Sequence, residues 1–373
     1  MRVGIDSHAA ERDGEGNCTY IQNLLMALAG IDETNEYVLY AIDAGHPFYA
    51  GLAGRPNFRI HELGAKNPLV RIPWHLARAT RQDEIDVLHV QYIAPFRHRG
   101  RLIVTIHDLG FLHYPQFFSR FFVLRSKWMV RRTARRAARV ITGSEYSRQD
   151  IIRNYGLEED RVEVVPHGVS PAFKPDQDPD AVCRALEKYR ISEPYLLCVG
   201  RLNPRKNLAT LVKAFDLLKG KENLRHKLVI AGKADRDLPA AARETASSRK
   251  EDIIFTGFIP DEELPLLYAG ADVFIYPSLF EGVGLPVLEA LASGVPVVTS
   301  NTSSLKETAG DAALTVDPLD VEQMAEAIAR LARETDLRRR LIHKGLERAS
   351  EFTWKRTAER TLEIYKKAAE LQE

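Results

Sequence analysis

Two acidic residues of this chain, Glu281 and Glu289, flank a glycine pair whose position suits an anion-binding site. Gly282 and Gly284 allow a tight turn, and they let backbone amides approach a ligand closely because no side chain intervenes. A helical pattern begins at Leu285, and a helix start favours negative charge. The sequence therefore predicts a phosphate site here. The amides expected to contact the phosphate belong to Gly282, Val283, Gly284 and Leu285.

The spacing gives the two glutamates different positions around that phosphate. Glu289 lies about one helical turn beyond Leu285, where it can accept hydrogen bonds from vicinal ribose hydroxyls. Glu281 follows the apolar run 271–278, a candidate strand, and therefore faces the group that the phosphate carries. The alternative is that Glu289 only offsets the helix dipole, a contribution of up to about 1 kcal/mol, and that Glu281 is a solvated loop acid.

Three further polar side chains follow candidate strands. Arg201 and Lys206 come after the strand that ends at Val199-Gly200, where they could neutralise a diphosphate. His107 follows the apolar run 103–106, and its imidazole could hydrogen-bond a hydroxyl or stabilise developing charge. The alternatives are two surface cations and a structural histidine.

Short apolar runs that alternate with helical patterns must position these side chains, which predicts an α/β fold with parallel sheets. In the first half the candidate strands end at Ile5-Asp6, Val90-Gln91, Ile106-His107, Thr142-Gly143 and Val165-Pro166. In the second half they end at Val199-Gly200, Ala231-Gly232, Thr256-Gly257, Tyr276-Pro277, Thr299-Ser300 and Val316-Asp317. Two sets of strands predict two sheets, with ligands outside the carboxyl ends of the strands.

The chain is long enough for two domains, and a linker lies near its middle. Its 373 residues exceed what one hydrophobic core usually supports. The segment 170–180 contains three prolines among polar residues, a composition that disfavours both helix and strand. We therefore predict an N-terminal domain over residues 1–170 and a C-terminal domain over residues 171–354.

Composition excludes several classes of function. The net charge of +1 lacks the basic excess of a nucleic-acid-binding protein, so no nucleic-acid partner is expected. Cys18, Cys183 and Cys198 have no metal-ligand spacing and indicate a reducing compartment. A strand-like run begins at Met1, and no apolar stretch approaches the ~18 residues of a membrane span. We therefore expect a cytoplasmic protein.

The segment from Gly257 to Asn301, GFIPDEELPLLYAGADVFIYPSLFEGVGLPVLEALASGVPVVTSN, resembles the signature of the retaining glycosyltransferases of family 4, and other pieces that resemble this family occur in the expected order along the chain. The resemblance implies a GT-B fold, in which two Rossmann-like parallel-sheet domains face each other across a cleft and a last helix, here 355–373, packs back on the first domain. It implies that Glu281 and His107 act at the donor sugar, that Arg201 and Lys206 bind the donor diphosphate, and that Glu289 binds the ribose. It also implies that the turn containing Phe258 and Ile259 meets the nucleobase.

A glycine pair near the N-terminus has two interpretations. Gly14 and Gly16 precede a helical pattern and could let the backbone approach the donor diphosphate or the acceptor. The alternative is a dinucleotide fingerprint, but Thr19 stands where its third glycine would be.

A pair of aspartates raises the question of a metal ion. Asp235 and Asp237 offer the Asp-x-Asp pattern with which other glycosyltransferases hold a metal ion. The pair lies away from the glutamate motif, and enzymes of the family that this chain resembles use cations and helix dipoles instead. We therefore expect no metal and no other cofactor.

The function implied by the resemblance is transfer of a hexose from a nucleotide-diphosphate sugar to a hydroxyl of a glycan or lipid-linked acceptor, with retention of configuration. GDP-mannose is the first choice of donor, in surface polysaccharide biosynthesis. The alternatives are a UDP-sugar-dependent glucosyl- or N-acetylglucosaminyltransferase, a non-hydrolysing sugar-nucleotide epimerase, and a non-catalytic sugar-nucleotide-binding protein.

A basic segment between Leu109 and Ser144 contains no acidic residue. Within residues 117–139, arginines and lysines alternate with phenylalanines and a tryptophan. Such a helix could lie on an anionic membrane surface, which would place the protein at the inner face of the cell membrane. The alternative is an ordinary helix with its aromatic side chains in the core and its arginines solvated.

Overall fold

The computed structural model describes residues 1–12, 16–222, 224–233 and 249–370, and it divides the chain into two compact units. Unit 1 comprises Met1–Gly168 and Trp354–Glu373, and unit 2 comprises Val169–Thr353. The boundary between Gly168 and Val169 thus lies two residues before the boundary predicted between residues 170 and 171.

Unit 1 is built on a parallel sheet of seven strands in the order β3-β2-β1-β4-β5-β6-β7. Its strands are β1 Arg2–Asp6, β2 Glu36–Ala41, β3 Phe58–Glu62, β4 Val87–Gln91, β5 Arg101–Thr105, β6 Arg139–Thr142 and β7 Val162–Val164. The helices between them are α1 Gly16–Ile31, α2 Pro47–Ala50, α3 Pro68–Val70, α4 Ala77–Gln82, α5 Gly110–His113, α6 Arg120–Arg136 and α7 Glu145–Tyr155. Short 3-10 turns cover His8–Glu11, Pro115–Phe117 and Glu159–Arg161, and a π-helical turn covers Arg71–Leu76.

Unit 2 is built on a parallel sheet of six strands in the order β10-β9-β8-β11-β12-β13. Its strands are β8 Tyr195–Val199, β9 Lys227–Ala231, β10 Ile253–Gly257, β11 Val273–Tyr276, β12 Val297–Ser300 and β13 Ala313–Val316. Its helices are α8 Pro179–Lys188, α9 Leu208–Glu222, α10 Leu264–Ala269, α11 Leu285–Ala292, α12 Leu305–Ala309, α13 Val321–Arg333 and α14 Thr335–Ser350, and a 3-10 turn covers Pro204–Lys206.

The chain then returns to unit 1 through α15, Trp354–Glu370. The buried face of α15, which includes Ala358 and Ile364, shares one hydrophobic core with Leu24 and Leu28 of α1. Within the described ranges, each helix is either too short or too polar to cross a bilayer.

The strand prediction is complete for unit 2 and incomplete for unit 1. All six predicted strands of unit 2 are present, with ends that agree within two residues. In unit 1 the prediction missed β2 and β3. β3 has the sequence FRIHE and is a half-exposed edge strand, so it lacks the continuous apolar run that marks a strand buried on both faces.

A chain of buried polar groups ties α15 to the sheet of unit 1. His89 Nδ1 lies 2.6 Å from the Tyr365 hydroxyl, and His89 Nε2 lies 2.7 Å from Thr105 Oγ1. The Tyr20 hydroxyl of α1 lies 3.0 Å from the same Thr105 oxygen. Burial lowers the pKa of His89 to about 3, and nearby His107 adds to the shift, so the imidazole is neutral at pH 7 and each of its nitrogens has a partner.

We predict that Tyr365→Phe destabilises the protein by about 1–3 kcal/mol, because it leaves Nδ1 of buried His89 without a partner. Tyr155→Phe is the matched control, since the Tyr155 hydroxyl is buried and has no partner among the described residues. Its removal should be neutral or slightly stabilising. Thermal unfolding followed by circular dichroism compares the two variants, and equal shifts in Tm would show that the His89 contact contributes nothing.

Candidate active site

The candidate site of unit 2 lies where the strand order reverses. β8 and β11 are neighbours in the sheet, and the chain leaves them toward opposite edges, which is the point at which α/β sheets bind ligands. The two loops that follow these strands are joined to each other. The Leu279 amide donates to the Arg205 carbonyl at 2.9 Å, and Ser278 Oγ lies 3.2 Å from the same carbonyl oxygen.

A buried ion pair joins Lys206, which is predicted to bind the diphosphate, to Glu281, the predicted catalytic acid. Lys206 Nζ donates to Glu281 Oε1 at 2.7 Å and also to the Tyr276 hydroxyl. The Tyr276 hydroxyl in turn donates to Glu281 Oε1 at 3.2 Å, and Ser278 Oγ donates to that oxygen at 2.5 Å. Three donors therefore converge on one carboxylate oxygen.

The surrounding charges keep Glu281 ionised. Burial by itself would raise its pKa, but Lys206, Arg205 and the hydrogen bond from Ser278 outweigh that effect and lower the pKa to about 2. Arg205 Nη2 lies 4.0 Å from Glu281 Oε2. Burial lowers the pKa of Lys206, although the Glu281 carboxylate opposes this shift. The site thus holds a fixed negative charge directly beside two cations.

The predicted phosphate loop leads into a helix start. α11 begins at Leu285, and Gly284 before it has φ +87°, in the left-handed region that favours glycine. A Cβ at position 284 would also lie 2.5 Å from Leu305 Cδ2. Thr308 Oγ1 donates to the Val283 carbonyl at 2.5 Å, which fixes the loop directly before the helix start. Gly282 is buried in the same loop.

Glu289 lies within α11 and carries an unusual carboxyl group. Burial raises its pKa to about 7, and the Asp261 carboxylate adds to the shift, whereas the hydrogen bond from Tyr268 opposes it. The Tyr268 hydroxyl donates to Glu289 Oε2 at 2.9 Å, so one oxygen is already occupied. The other oxygen can accept from a ligand hydroxyl once the group is ionised.

The predicted nucleobase turn follows β10. Gly257 has φ +73°, and its carbonyl accepts from the Gly232 amide at 2.8 Å. Phe258 is 49% exposed, whereas the Ile259 side chain packs into the core of unit 2. Ile259 can therefore meet a ligand only through its backbone, and Phe258 is the side chain of this pair that solvent or a ligand can reach.

Three further residues, Arg201, Gly16 and Gly14, were predicted to contact the donor diphosphate. Arg201 is exposed and follows Gly200, just beyond β8. Gly16 is the exposed first residue of α1 in unit 1. Gly14 lies outside the described residues. In the structure, Lys206, Glu281 and the loop at Gly282 lie together, whereas Arg201 is exposed to solvent.

His107 lies in unit 1, just beyond β5, in a buried aromatic cluster. Its Nε2 lies 2.8 Å from Gln91 Oε1, and with the amide in this orientation Nε2 carries the hydrogen. The rings of Tyr20 and His167 lie 4.7 and 5.3 Å from the His107 ring. Burial lowers the pKa of His107 to about 4 against the opposing effect of Asp108. At neutral pH the imidazole is uncharged, so it can form hydrogen bonds but carries no positive charge.

A metal site was not expected from the sequence, and the described residues contain no group of three His, Cys, Asp or Glu side chains close enough to hold a metal ion. Asp235 and Asp237, which carry the Asp-x-Asp pattern, lie outside the described residues.

Sequence reasoning did not single out four residues that complete the site. Tyr276 and Ser278 were assigned only to a strand, Arg205 only to a loop, and Tyr268 to no role. A serine or tyrosine at the carboxyl end of a predicted strand is a usable signal, because such ends point toward the ligand edge of the sheet. The bond from Tyr268 to Glu289 has no such signal, since it depends on how α10 packs against α11.

Two family models match the chain over most of its length. One, described as Glycosyltransferase Family 4, covers residues 19–173, and the other, described as Glycosyl transferases group 1, covers residues 184–348. The chain belongs to glycosyltransferase family 4. Its loop at Glu281 and its turn at Lys206 both lie within the second match.

Several relatives of this glycosyltransferase are named mannosyltransferases. The O-antigen chain mannosyltransferase B of Escherichia coli is 33% identical over 71% of this chain and 70% of its own length. The MMP alpha-(1->4)-mannosyltransferase of Mycolicibacterium hassiacum is 31% identical over 64% of this chain and 56% of its own length.

Solved structures identify the fold. Anabaena HepE, in complex with UDP and glucose, has a TM-score of 0.77 at 17% identity, covering 98% of this chain and 100% of that chain. The fold is GT-B, with two Rossmann-like units, as the sequence predicted.

The raised pKa of Glu289 predicts a pH-dependent effect of Glu289→Gln. The Glu289 carboxyl has a pKa of about 7 in the folded protein, against an ordinary value of 4.5. Because the folded state favours the protonated form, the contribution of Glu289 to the free energy of unfolding falls as the pH rises from 4.5 through 7. Relative to wild type, the free energy of unfolding of the glutamine variant should therefore be higher by about 1–3 kcal/mol more at pH 8 than at pH 5.

Urea unfolding at the two pH values measures this difference, and Glu326→Gln, on the exposed side of α13, is the control. A gain that is equal at pH 5 and pH 8 would show that Glu289 is ionised in the folded protein across this range.

Proposed function

We propose that this glycosyltransferase moves mannose from GDP-mannose to a hydroxyl of a glycan or lipid-linked acceptor in surface polysaccharide biosynthesis, with retention of configuration and without a metal ion. The observation that carries the proposal is the buried pair of Lys206 and Glu281 at the strand-order reversal of unit 2, directly before the helix start at Leu285. Cation, anion and helix start together match the charges of a sugar nucleotide. The mannosyltransferase relatives support the choice of sugar.

Departure of the nucleoside diphosphate is the step that these charges favour. As the bond from the anomeric carbon to the β-phosphate oxygen breaks, negative charge collects on the diphosphate. Lys206, Arg205 and Arg201 supply positive charge, and the amides from Gly282 to Leu285 supply hydrogen bonds at the helix start. In this proposal they provide the charge that a metal ion provides in other transferases.

The donor must compete with Glu281 for Lys206, because that ammonium group is already paired in the ligand-free protein. When the diphosphate takes over part of this contact, the Glu281 carboxylate is released toward the sugar. An ionised carboxylate there stabilises the oxocarbenium-like centre at the anomeric carbon. The low pKa of Glu281 keeps it ionised for that role.

The remaining predicted roles concern how the donor is held. Glu289 accepts hydrogen bonds from the ribose hydroxyls through the oxygen that Tyr268 leaves unoccupied. Phe258 and the backbone of Ile259 meet the nucleobase. His107, neutral at pH 7, hydrogen-bonds a hydroxyl of the donor sugar. Gly14 and Gly16 remain predicted contacts of the donor phosphates or the acceptor.

We also propose that α6 contacts the inner face of the cell membrane. Phe121, Leu124 and Trp128 are 69%, 72% and 58% exposed, and their spacing places them on one face of the helix. Val123 and Val130 form the opposite, buried face. The alternative of aromatic side chains packed in the core therefore fails for Phe121 and Trp128. Basic residues flank the exposed face with no acidic residue from 110 to 143, which fits an anionic lipid surface.

The donor assignment is tested by thermal shift and calorimetry against GDP-mannose, UDP-glucose and UDP-N-acetylglucosamine. We expect GDP-mannose to bind most tightly, NMR of the product to show the donor's anomeric configuration, and EDTA to leave turnover unchanged. Preference for a UDP-linked donor would overturn the mannose assignment, an inverted product would overturn retention, and inhibition by EDTA would overturn metal independence.

Variants of the ion pair should separate binding from chemistry. Lys206→Met should weaken GDP binding by about 10–100-fold, because a charge-assisted contact to the diphosphate is lost. Glu281→Gln should bind GDP as tightly as wild type or more tightly, since Lys206 loses its competing partner, while acceptor-dependent GDP release falls by about 100-fold or more. Lys213→Met on the exposed side of α9 is the control. Unchanged release by Glu281→Gln would contradict its catalytic role.

Membrane contact is tested by sedimentation with vesicles. We expect the wild-type protein to bind vesicles that contain about 30% phosphatidylglycerol in phosphatidylcholine and to leave them as salt increases. Replacement of Phe121, Leu124 and Trp128 by serine should abolish binding without changing donor affinity. Leu319→Ser is the control, because Leu319 is equally exposed but lies in unit 2. Equal sedimentation of the two variants would refute the α6 contact.

A further inference from the structure

Arg71 is a buried arginine of unit 1 whose guanidinium is incompletely hydrogen-bonded among the described residues. It begins the π-helical turn Arg71–Leu76 and is 1% exposed, and it heads the largest side chains that are fully buried. Neither Nε nor Nη1 has a hydrogen-bond partner within the described ranges. An arginine remains charged at neutral pH, so this guanidinium is a buried cation whose hydrogen bonds are unmade. Burial of an unpaired charge costs several kcal/mol, and such a group persists where it serves a ligand.

Two carboxylates act on Arg71, those of Asp6, the last residue of β1, and Glu11. Burial lowers the pKa of Arg71 while the charge of Asp6 opposes that shift, Arg12 lowers it further and Glu11 opposes it. Asp6 Oδ1 already lies 2.7 Å from His8 Nδ1, and Glu11 Oε1 accepts from the Ile42 amide at 2.7 Å. No described ion pair within 4.0 Å joins either carboxylate to Arg71, and both have other partners.

The place of Arg71 in the fold is the ligand edge of unit 1. β1 and β4 are neighbours at which the strand order reverses, as β8 and β11 are in unit 2. Asp6 is the last residue of β1, so the carboxylate whose charge most affects the pKa of Arg71 lies at this edge.

We propose that Arg71 anchors an anion site in unit 1 that binds a phosphate group of the acceptor. This inference rests on the proposed function, because the donor diphosphate is assigned to Lys206, Arg205 and the helix start of unit 2. The planar fork of a guanidinium matches two phosphate oxygens, and the partners missing from Arg71 are supplied when that phosphate binds. Acceptors of this class are sugars linked through phosphate or diphosphate, either soluble or carried on a lipid.

The competing interpretation is that Arg71 is a structural counter-ion of Asp6. The two interpretations predict opposite effects on the ligand-free protein. A structural counter-ion is destabilising to remove, because Asp6 is then left as an uncompensated buried charge. A ligand-binding cation with unmade hydrogen bonds is neutral or stabilising to remove, because its burial is unfavourable until the ligand arrives.

The experiment compares Arg71→Met and Arg71→Lys with Arg78→Met. Arg78 lies seven residues further along on the exposed side of α4 and serves as the matched control. Binding of inorganic pyrophosphate is measured by calorimetry in the presence of saturating GDP or UDP, which occupies the donor site. Nucleotide binding, measured first, tests the proposed function independently. Thermal unfolding without any anion gives the intrinsic stability of each variant.

We expect wild type and Arg78→Met to bind pyrophosphate equally, Arg71→Lys to bind it more weakly, and Arg71→Met to lose at least about tenfold in affinity. The Tm of Arg71→Met should equal or exceed that of wild type, and its nucleotide affinity should be unchanged. Absence of pyrophosphate binding to nucleotide-saturated wild type would overturn the proposal. A lower Tm with unchanged pyrophosphate binding would assign Arg71 to the structure, and a loss of nucleotide affinity would assign it to the donor.

Two further ligands distinguish the source of the phosphate. Mannose 1-phosphate represents a soluble acceptor phosphate, and phosphatidylcholine vesicles that carry farnesyl diphosphate represent a lipid-linked one. Loss of either interaction in Arg71→Met, with retention in Arg78→Met, supports the site and identifies its source. If Arg71→Met binds both as wild type does, the acceptor assignment is wrong.

Discussion

Unit 2 is organised around a lysine and a glutamate that are buried together where β8 and β11 end. Burying two charges is favourable only if their remaining hydrogen-bonding capacity is met, and here Tyr276 and Ser278 meet it at the carboxylate. The same requirement fixes the loops, because Ser278 also bonds to the carbonyl of Arg205 in the turn that carries Lys206. The site therefore holds its cation against an internal anion. In the proposed mechanism, donor binding exchanges one anion for another, which limits the unfavourable exposure or burial of unpaired charge.

Buried histidines distinguish unit 1 from the ion pair of unit 2. Unit 2 keeps Glu281 ionised beside cations, whereas burial keeps His89 and His107 of unit 1 neutral. His89 is satisfied on both nitrogens, and His107 contacts Gln91. A neutral histidine can recognise hydroxyl groups without attracting phosphates, which the proposed function assigns to unit 2. Arg71 and buried aspartates such as Asp6 and Asp32 are charged groups of unit 1 that depart from this pattern.

Sequence predicts most of the fold because buried parallel strands carry continuous apolar runs that end at glycine or polar residues. The runs that end at Val199-Gly200 and Tyr276-Pro277 are of this kind, and both strands were located. β3 was missed because half of its side chains are exposed. The positions of Glu281, Lys206 and Glu289 followed from the same strand and helix boundaries. The bond between Lys206 and Glu281 did not, because their loops lie 75 residues apart in sequence. Arg71 gave no signal at all, since its burial depends on packing from several elements.

The contact between Gly284 and Leu305 has a consequence for changing the donor that this enzyme accepts. A combinatorial library that randomises the glycine loop would consist mainly of inactive members, because position 284 rejects any side chain through both its backbone angle and the neighbouring leucine. Position 259 is constrained in the same way by the core of unit 2. Position 258, with half of its phenylalanine surface exposed beside the same edge of the sheet, tolerates diversity. Under the proposed donor contacts, a new nucleotide preference therefore arises more readily through substitutions in the turn after β10 than through substitutions at Gly284.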